Sequence, residues 1–325
     1  MNLQAKRRAW LLLGASACLP AFAGAAFKPA RPVRLVVVYP PGGVSDTIAR
    51  YIADRLGEQL GVPVLVEHRA GDGGSIGMAM LARAVPDGLT LVFSAITPLT
   101  VRPLVGEVNY DPLRDVLPVA GVMHTPLLLV ATPALDVASL ADVLAIARAQ
   151  PGRLRWASSG FATTGHMVME QVCLASGARI VHIPYKGGSQ QLTDAVGGQF
   201  ELLSTNVGDI QLRYIKTGHF KPLAVGAPQR LPGLPQVPTF AELGFPLANL
   251  SSLFGIFAPS GTPESVLDGL NMAINAVLRT DDFKQRLLAT DNIPATASRQ
   301  AFAALIAHDF AANQQLVRTT KIRLQ

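Results

Sequence analysis

Cysteine and charge are both scarce in this chain, and each shortage removes function classes. Two cysteines, Cys18 and Cys173, occur among 325 residues. Cys18 lies in an N-terminal stretch that reads as a removable leader, so the mature chain has no internal disulfide. Cys173 sits between Val172 and Leu174 in a helical pattern, the setting of a small buried hydrophobe. The six histidines, at 68, 124, 166, 182, 219 and 308, show no i, i+4 pair and no cysteine company. No metal and no cofactor is therefore expected. Neither G-x-x-x-x-G-K-[ST] nor H-E-x-x-H is present. Charged residues make up 15% of the chain, and no stretch interleaves Lys and Arg with aromatics. Nucleic acid is excluded as a partner on that ground. Hydrophobic content of 49% excludes a disordered chain.

What is present begins with the leader. Lys6, Arg7 and Arg8 precede an uncharged apolar stretch from Ala9 to Phe27, with small-residue sites at Ala21-Phe22-Ala23 and Ala23-Gly24-Ala25. A basic start, a short apolar run and an A-x-A site mark a secretory signal peptide, here residues 1–26, removed near residues 23–26. Arg7-Arg8 also permits a twin-arginine route. The whole chain carries 28 basic and 22 acidic residues. Three of the basic ones leave with the leader, so 25 stand against 22 in the mature part. The basic pI belongs partly to the discarded segment.

The mature part repeats one grammar: apolar strand, Gly-rich turn, amphipathic helix. Val33 to Val38 is a β-branched run suited to a strand buried on both faces. Pro40-Pro41-Gly42-Gly43 turns the chain, and Ile48, Ala49, Ile52, Ala53, Leu56 and Leu60 recur at helical spacing. Strands over 62–67 and 89–93 flank a helix over 75–84. The grammar returns with strands over 154–157, 180–183, 200–204 and 223–226 and helices over 165–174, 190–196 and 209–216. This order predicts an α/β fold with two parallel sheets, hence two lobes. Leu127 to Ala131 and Phe254 to Ala258 read as crossover strands. The C-terminal part, helical over 263–278 and 299–316 with no strands of its own, folds back on the first lobe. The expected lobes are 27–126 plus 250–325, and 127–249.

Ligands of open parallel sheets bind beyond the carboxyl ends of the strands. The turns there are rich in Gly, Ser and Thr, and Lys186 is their only cation. They contribute Tyr39, Gly74, Ser75, Thr97, Tyr185, Lys186 and Asn206 as candidate ligand contacts, with His166 at the start of the helix that follows one of them. Backbone N–H groups at helix starts favour an anion. Gly73-Gly74-Ser75-Ile76-Gly77 fits G-x-S-x-G, but the chain from His68 to Gly74 separates the serine from its strand. A nucleophile elbow needs the serine at the strand end, so no enzyme is expected.

Several stretches resemble the Bug family, the periplasmic receptors of tripartite tricarboxylate transporters. They are Tyr39-Pro40-Pro41-Gly42-Gly43 with Asp46 and Ala49-Arg50, the run from Val66 to Gly77, and Pro86-Asp87-Gly88-Leu89-Thr90-Leu91. The likeness continues through His182-Ile183-Pro184-Tyr185-Lys186-Gly187-Gly188, Gly197-Gly198-Gln199, Leu223-Ala224-Val225, Pro238-Thr239-Phe240-Ala241-Glu242 and Phe254-Gly255-Ile256-Phe257-Ala258-Pro259. The resemblance implies a type II periplasmic-binding-protein fold with parallel-dominated sheets joined by two crossover strands, and no catalysis. It implies a monomer that carries a small organic acid, a di- or tricarboxylate or an aromatic acid, to membrane transporter subunits. A sensor that presents the solute to a membrane kinase would use the same cleft. The resemblance adds Pro41, Gly42, Gly43, Ser45 and Asp46 as ligand-binding positions, with Ser158, Ser159 and Thr163 opposite. One departure stands out: the family's usual Asn-Arg-Pro-Gly-Ala-Gly-Gly-Asn reads His68-Arg69-Ala70-Gly71-Asp72-Gly73-Gly74-Ser75 here, which places Asp72 near the expected anion site.

Overall fold

A computed structural model describes residues 27–320; the leader and Cys18 lie outside the described residues. The chain begins with β1 (Val33–Val37), α1 (Val44–Leu60), β2 (Val64–His68), α2 (Ser75–Leu81) and β3 (Thr90–Ala95). These strands pair in parallel, β1 between β2 and β3. Two short helices, α3 (Thr97–Thr100) and α4 (Arg102–Val105), lead to β4, a 16-residue strand spanning Val116–Ala131. The second unit follows as α5 (Leu140–Ala149), β5 (Arg155–Ser158), α6 (Thr164–Ser176), β6 (Val181–Pro184), α7 (Gly188–Val196), β7 (Leu202–Asn206), α8 (Asp209–Lys216) and β8 (Lys221–Gly226). Here β5 lies between β6 and β7, again parallel. The chain returns through β9 (Ser251–Pro259) and ends with α9 (Glu264–Leu278), α10 (Asp281–Leu288), β10 (Ile293–Pro294) and α11 (Arg299–Thr320).

All antiparallel pairing among the described strands involves β4 or β9. The first part of β4, to Pro126, pairs with β9; from Leu127 onward it pairs with β7 and β8. One strand therefore belongs to both sheets, and the lobes meet at Pro126–Leu127. In the second lobe Leu127, Leu129 and Ala131 enter one apolar cluster while Leu128 and Val130 enter another on the opposite face. That two-residue alternation, with both faces buried, explains why this strand reads as an unbroken apolar run. The first lobe has a single large core that draws on residues from Val33 to Met123 and again from Leu253 to Ile306. Phe257 and Phe302 meet inside it at 5.7 Å, which docks the C-terminal helix on the first sheet.

Three features differ from the sequence reading. The C-terminal part contains a strand after all, since Ile293 and Pro294 pair with His124 and Met123. The crossover strand extends back to Val116, and Pro118 and Pro126 hid that half because proline is unusual within a strand. Helices α5 and α10 also form, each with a side-chain cap: Ser139 with Asp142, and Thr280 on the Phe283 N–H. Among the described residues, no helix is long and apolar enough to cross a membrane.

Candidate ligand-binding cleft

A cleft of about 150 Å³ lies between the lobes. Four helices begin at its walls, α1 at Val44, α6 at Thr164, α7 at Gly188 and α8 at Asp209, and a fifth, α3 at Thr97, is a single four-residue turn with Pro98 at its second position. None of the five has a side-chain hydrogen bond at its N-cap. The first N–H groups of a helix have no partner within the helix. Left uncapped, they and the positive end of the macrodipole face the cleft. Hydroxyls of Ser45, Thr47, Thr163, Ser189, Thr205 and Ser252 add to the lining.

The turn before α1 is shaped by Asp46. Its Oδ2 accepts the Gly42 N–H at 2.8 Å, and its Oδ1 lies 2.9 Å from both His68 Nε2 and Arg50 Nε. This buried carboxylate is consumed by its own turn. Tyr39, just before it, is buried with its hydroxyl among Ser94, Ala95 and Thr97, and burial pushes its pKa up to about 12.

The turn before α6 is held by neutral groups. Ser158 Oγ donates to the Gly160 carbonyl at 2.9 Å and lies 2.7 Å from His182 Nε2. The arrangement that satisfies both contacts has His182 donating Nε2–H to the serine, so the imidazole is no base for that hydroxyl. His182 stacks on His166 at 3.8 Å with rings 5° from parallel. His166 Nδ1 accepts the Ala162 N–H at 3.2 Å, and its Nε2 lies 3.3 Å from Glu170. Burial, and then the neighbouring His166, lower the pKa of His182 to about 3. Ala162 has φ +55°, an uncommon conformation for a residue with a Cβ, and the His166 contact holds it there.

Of the residues read from sequence, Tyr39, Gly42, Gly43, Ser45, Thr97, Ser159, Thr163 and Asn206 line the cleft together. The other eight do not. Pro41 is exposed at the tip of its turn, and Asp46 faces back into that turn. Gly74 packs against Pro98 and Val38. Ser158 and His166 are buried behind the 158–164 turn. The Tyr185 hydroxyl donates to Asp194 at 2.7 Å, and Lys186 is exposed away from the lining. Ser75 faces a separate hollow of about 1030 Å³ on the outer side of the first lobe. There the Tyr110 hydroxyl reaches its Oγ at 3.5 Å, while bonding the Pro98 carbonyl at 2.6 Å. Burial holds the Tyr110 pKa at about 12, so it supplies no base to Ser75. Arg83 and Glu107 line this outer hollow beside three ion pairs: Arg31 with Asp87, Arg34 with Glu67 and Arg102 with Asp72. The last pair also settles the departure noted above. Asp72 is exposed and accepts from Arg102 Nε and Nη2 at 3.0 and 3.1 Å.

Sequence reasoning missed Ser252, Thr290 and Arg286, which reach the cleft from the returning chain rather than from a strand–turn–helix unit. The Ser252 hydroxyl bridges Thr164 Oγ1 (3.0 Å) and Asn206 Oδ1 (2.9 Å). Among the described residues no group of three His, Cys, Asp or Glu side chains is placed to hold a metal ion.

The lobes touch across the cleft. A Cβ on Gly73 would overlap the Phe161 carbonyl oxygen of the other lobe, and one on Gly187 would overlap the Pro40 ring. Val101 from the first lobe and Ala162 and Met167 from the second share a small apolar cluster.

Comparison with known proteins agrees with this architecture. Residues 48–322 match the model of the tripartite tricarboxylate transporter family receptor. Protein BugT of Bordetella pertussis is 35% identical over 299 residues, 91% of each chain. An R. palustris protein solved with adipate superposes with a TM-score of 0.85 at 32% identity, covering 91% of this chain and 99% of that one. MatC of Rhodopseudomonas palustris, solved with bound malate, gives a TM-score of 0.84 at 27% identity over 89% of this chain and 99% of that one. The chain belongs to the tripartite tricarboxylate transporter receptor family, whose members are periplasmic solute-binding proteins of the Bug type.

Proposed function

We propose that the protein captures a small organic acid between its lobes and holds a carboxylate of that acid on the uncapped helix starts of the cleft. The observation that carries this reading is the convergence of four such starts, those of α1, α6, α7 and α8, on one hollow. Anions are favoured there by the backbone N–H groups and the helix dipoles together. In this reading Gly43, Ser45, Thr163 and Thr164 hold the carboxylate, and Tyr39, Thr97, Ser159, Asn206 and Ser252 shape the rest. Relatives solved with adipate and malate support the ligand class. The lobes comprise residues 27–126 with 250–325, and residues 127–249. The mature chain works in the periplasm as a monomer, after a signal peptide is removed near residues 23–26, and delivers its ligand to the membrane subunits of a tripartite transporter. It performs no catalysis: its buried hydroxyl–imidazole pair, Ser158 and His182, is locked into the turn.

A thermal-shift screen of the mature protein against mono-, di- and tricarboxylates and aromatic acids tests the proposal. A ligand that binds the native state raises the melting temperature by mass action. At a hundredfold excess over Kd the gain is about 2.7 kcal/mol. A screen in which sugars or cations shift the melt and no carboxylate does would sink it.

A further inference from the structure

We infer that the cleft has a second anion-reading position at its rim, built on Arg286 of α10, and that this position selects ligands with a carboxylate at each end. The inference rests on the anion-cleft reading above and refines it.

Arg286 is the one cationic side chain among the described residues that line the cleft. Its guanidinium lies over the Tyr51 ring, 4.8 Å from the centroid. A cation on a ring face is attracted and held in orientation. The usual partner for an arginine on a helix is an acid one turn away, and Asp282 stands there. That acid is already engaged: the Tyr51 hydroxyl donates to it at 2.6 Å, and Arg55 approaches at 3.9 Å. Tyr51 thus supports the guanidinium with its ring and withdraws the competing carboxylate with its hydroxyl. None of the five guanidinium N–H donors is committed to a protein acceptor among the described residues. Asp209, on the facing wall, lines the same cleft, and no ion pair joins it to Arg286. Of the other arginines nearby, Arg50 is bound to Asp46, and Arg55, 5.8 Å from the same Tyr51 ring, is bound to Glu58.

An oriented guanidinium with open donors matches a carboxylate through two parallel hydrogen bonds. The uncapped helix starts hold one end of the ligand, and Arg286 meets the other. Ile48, Leu192 and Ile210 supply apolar lining suited to the methylene chain between them. A monocarboxylate leaves Arg286 without a counter-ion.

The test is calorimetric titration with chain-matched pairs, succinate against butanoate and adipate against hexanoate. In the unaltered protein the dicarboxylate of at least one pair should bind more than tenfold tighter. In Arg286→Gln that ratio should fall about tenfold, and Arg286→Lys should restore part of it, since charge survives without the fork. The apo melting temperature of each variant reports whether the fold is intact. A ratio that stays unchanged in a folded Arg286→Gln protein overturns the Arg286 position alone. Failure of every acid to bind the unaltered protein overturns the anion cleft itself.

Discussion

The turn that opens α1 and the turn that opens α6 face each other across the cleft and present the same groups, yet different chemistry holds each in shape. The first is tied by a carboxylate: Asp46 gathers the Gly42 N–H, His68 and Arg50, and the tip of the turn is exposed. The second is tied by neutral groups beneath its surface: Ser158, the stacked His182 and His166, and the Ala162 N–H. The contrast follows from burial. A charge stays close to water or to opposite charge, whereas neutral donors and acceptors can be buried once paired. In the first lobe the anchor is electrostatic and in the second it is tautomeric, so acid and substitution should affect them differently.

The severest way to break the pairing of the turns is to keep them apart. Gly187→Ala, at an extended backbone position, places a methyl group against the Pro40 ring of the other lobe. Calorimetric titration should show affinity for any cleft ligand falling by about a hundredfold, equivalent to roughly 2.7 kcal/mol. The apo melting temperature should move far less. Equal losses in both would mean that the contact is structural rather than part of closure.

Next in size, Asp46→Ala removes the charged anchor of the first turn. Charged hydrogen bonds of this kind contribute about 2 kcal/mol. The melting temperature should fall by roughly 3 °C in a protein of this size. A fall no larger than that of a surface substitution would leave the first turn without its proposed anchor.

The second turn should answer to pH. The folded protein keeps His182 neutral down to about pH 3, whereas an unfolded chain protonates it near 6.5. Between those values the unfolded state binds the extra proton, so this stability is complete above about pH 6.5 and drains away as the pH falls. One such proton changes stability by at most about 1.4 kcal/mol per pH unit. His182→Gln should flatten the acid limb of a melting-temperature profile. An unaltered acid limb would assign the slope to other groups.

The smallest effect belongs to Ser75, which the G-x-S-x-G pattern singled out. Ser75→Ala should change stability by less than about 0.5 kcal/mol and leave ligand affinity within error, because its one contact is a long one to Tyr110. A lost esterase turnover in this variant would overturn the binding-protein reading.

Much of this molecule can be read from its sequence where local rules decide. Helix α8 has the bounds that periodicity predicts, Asp209–Lys216, and the strands other than β4, β9 and β10 shift by no more than two residues at their starts and ends. The signals for α5 and α10 were also present, as Ser139-x-x-Asp142 and as Thr280 before two aspartates, but they fall outside the strand–turn–helix repeat. The site was legible only in part. Sequence places Ser158, His166 and Tyr185 at the correct sheet edge. Which way a side chain leaves that edge depends on partners such as His182, Glu170 and Asp194, far along the chain or a helical turn away. Ser252 and Arg286 were invisible for a plainer reason. They arrive by fold-back, and no local pattern announces what a returning chain will touch.

The strand shared by both sheets has a consequence for how the protein comes apart. Neither lobe can shed β4 without stripping the other of a ladder: β9 loses its partner on one side, and β7 and β8 lose theirs on the other. Two lobes joined in this way are therefore bound to melt as one. A single calorimetric transition, rather than two, is what such shared hydrogen bonding entails, and a ligand seated in the cleft will be felt by the whole chain at once.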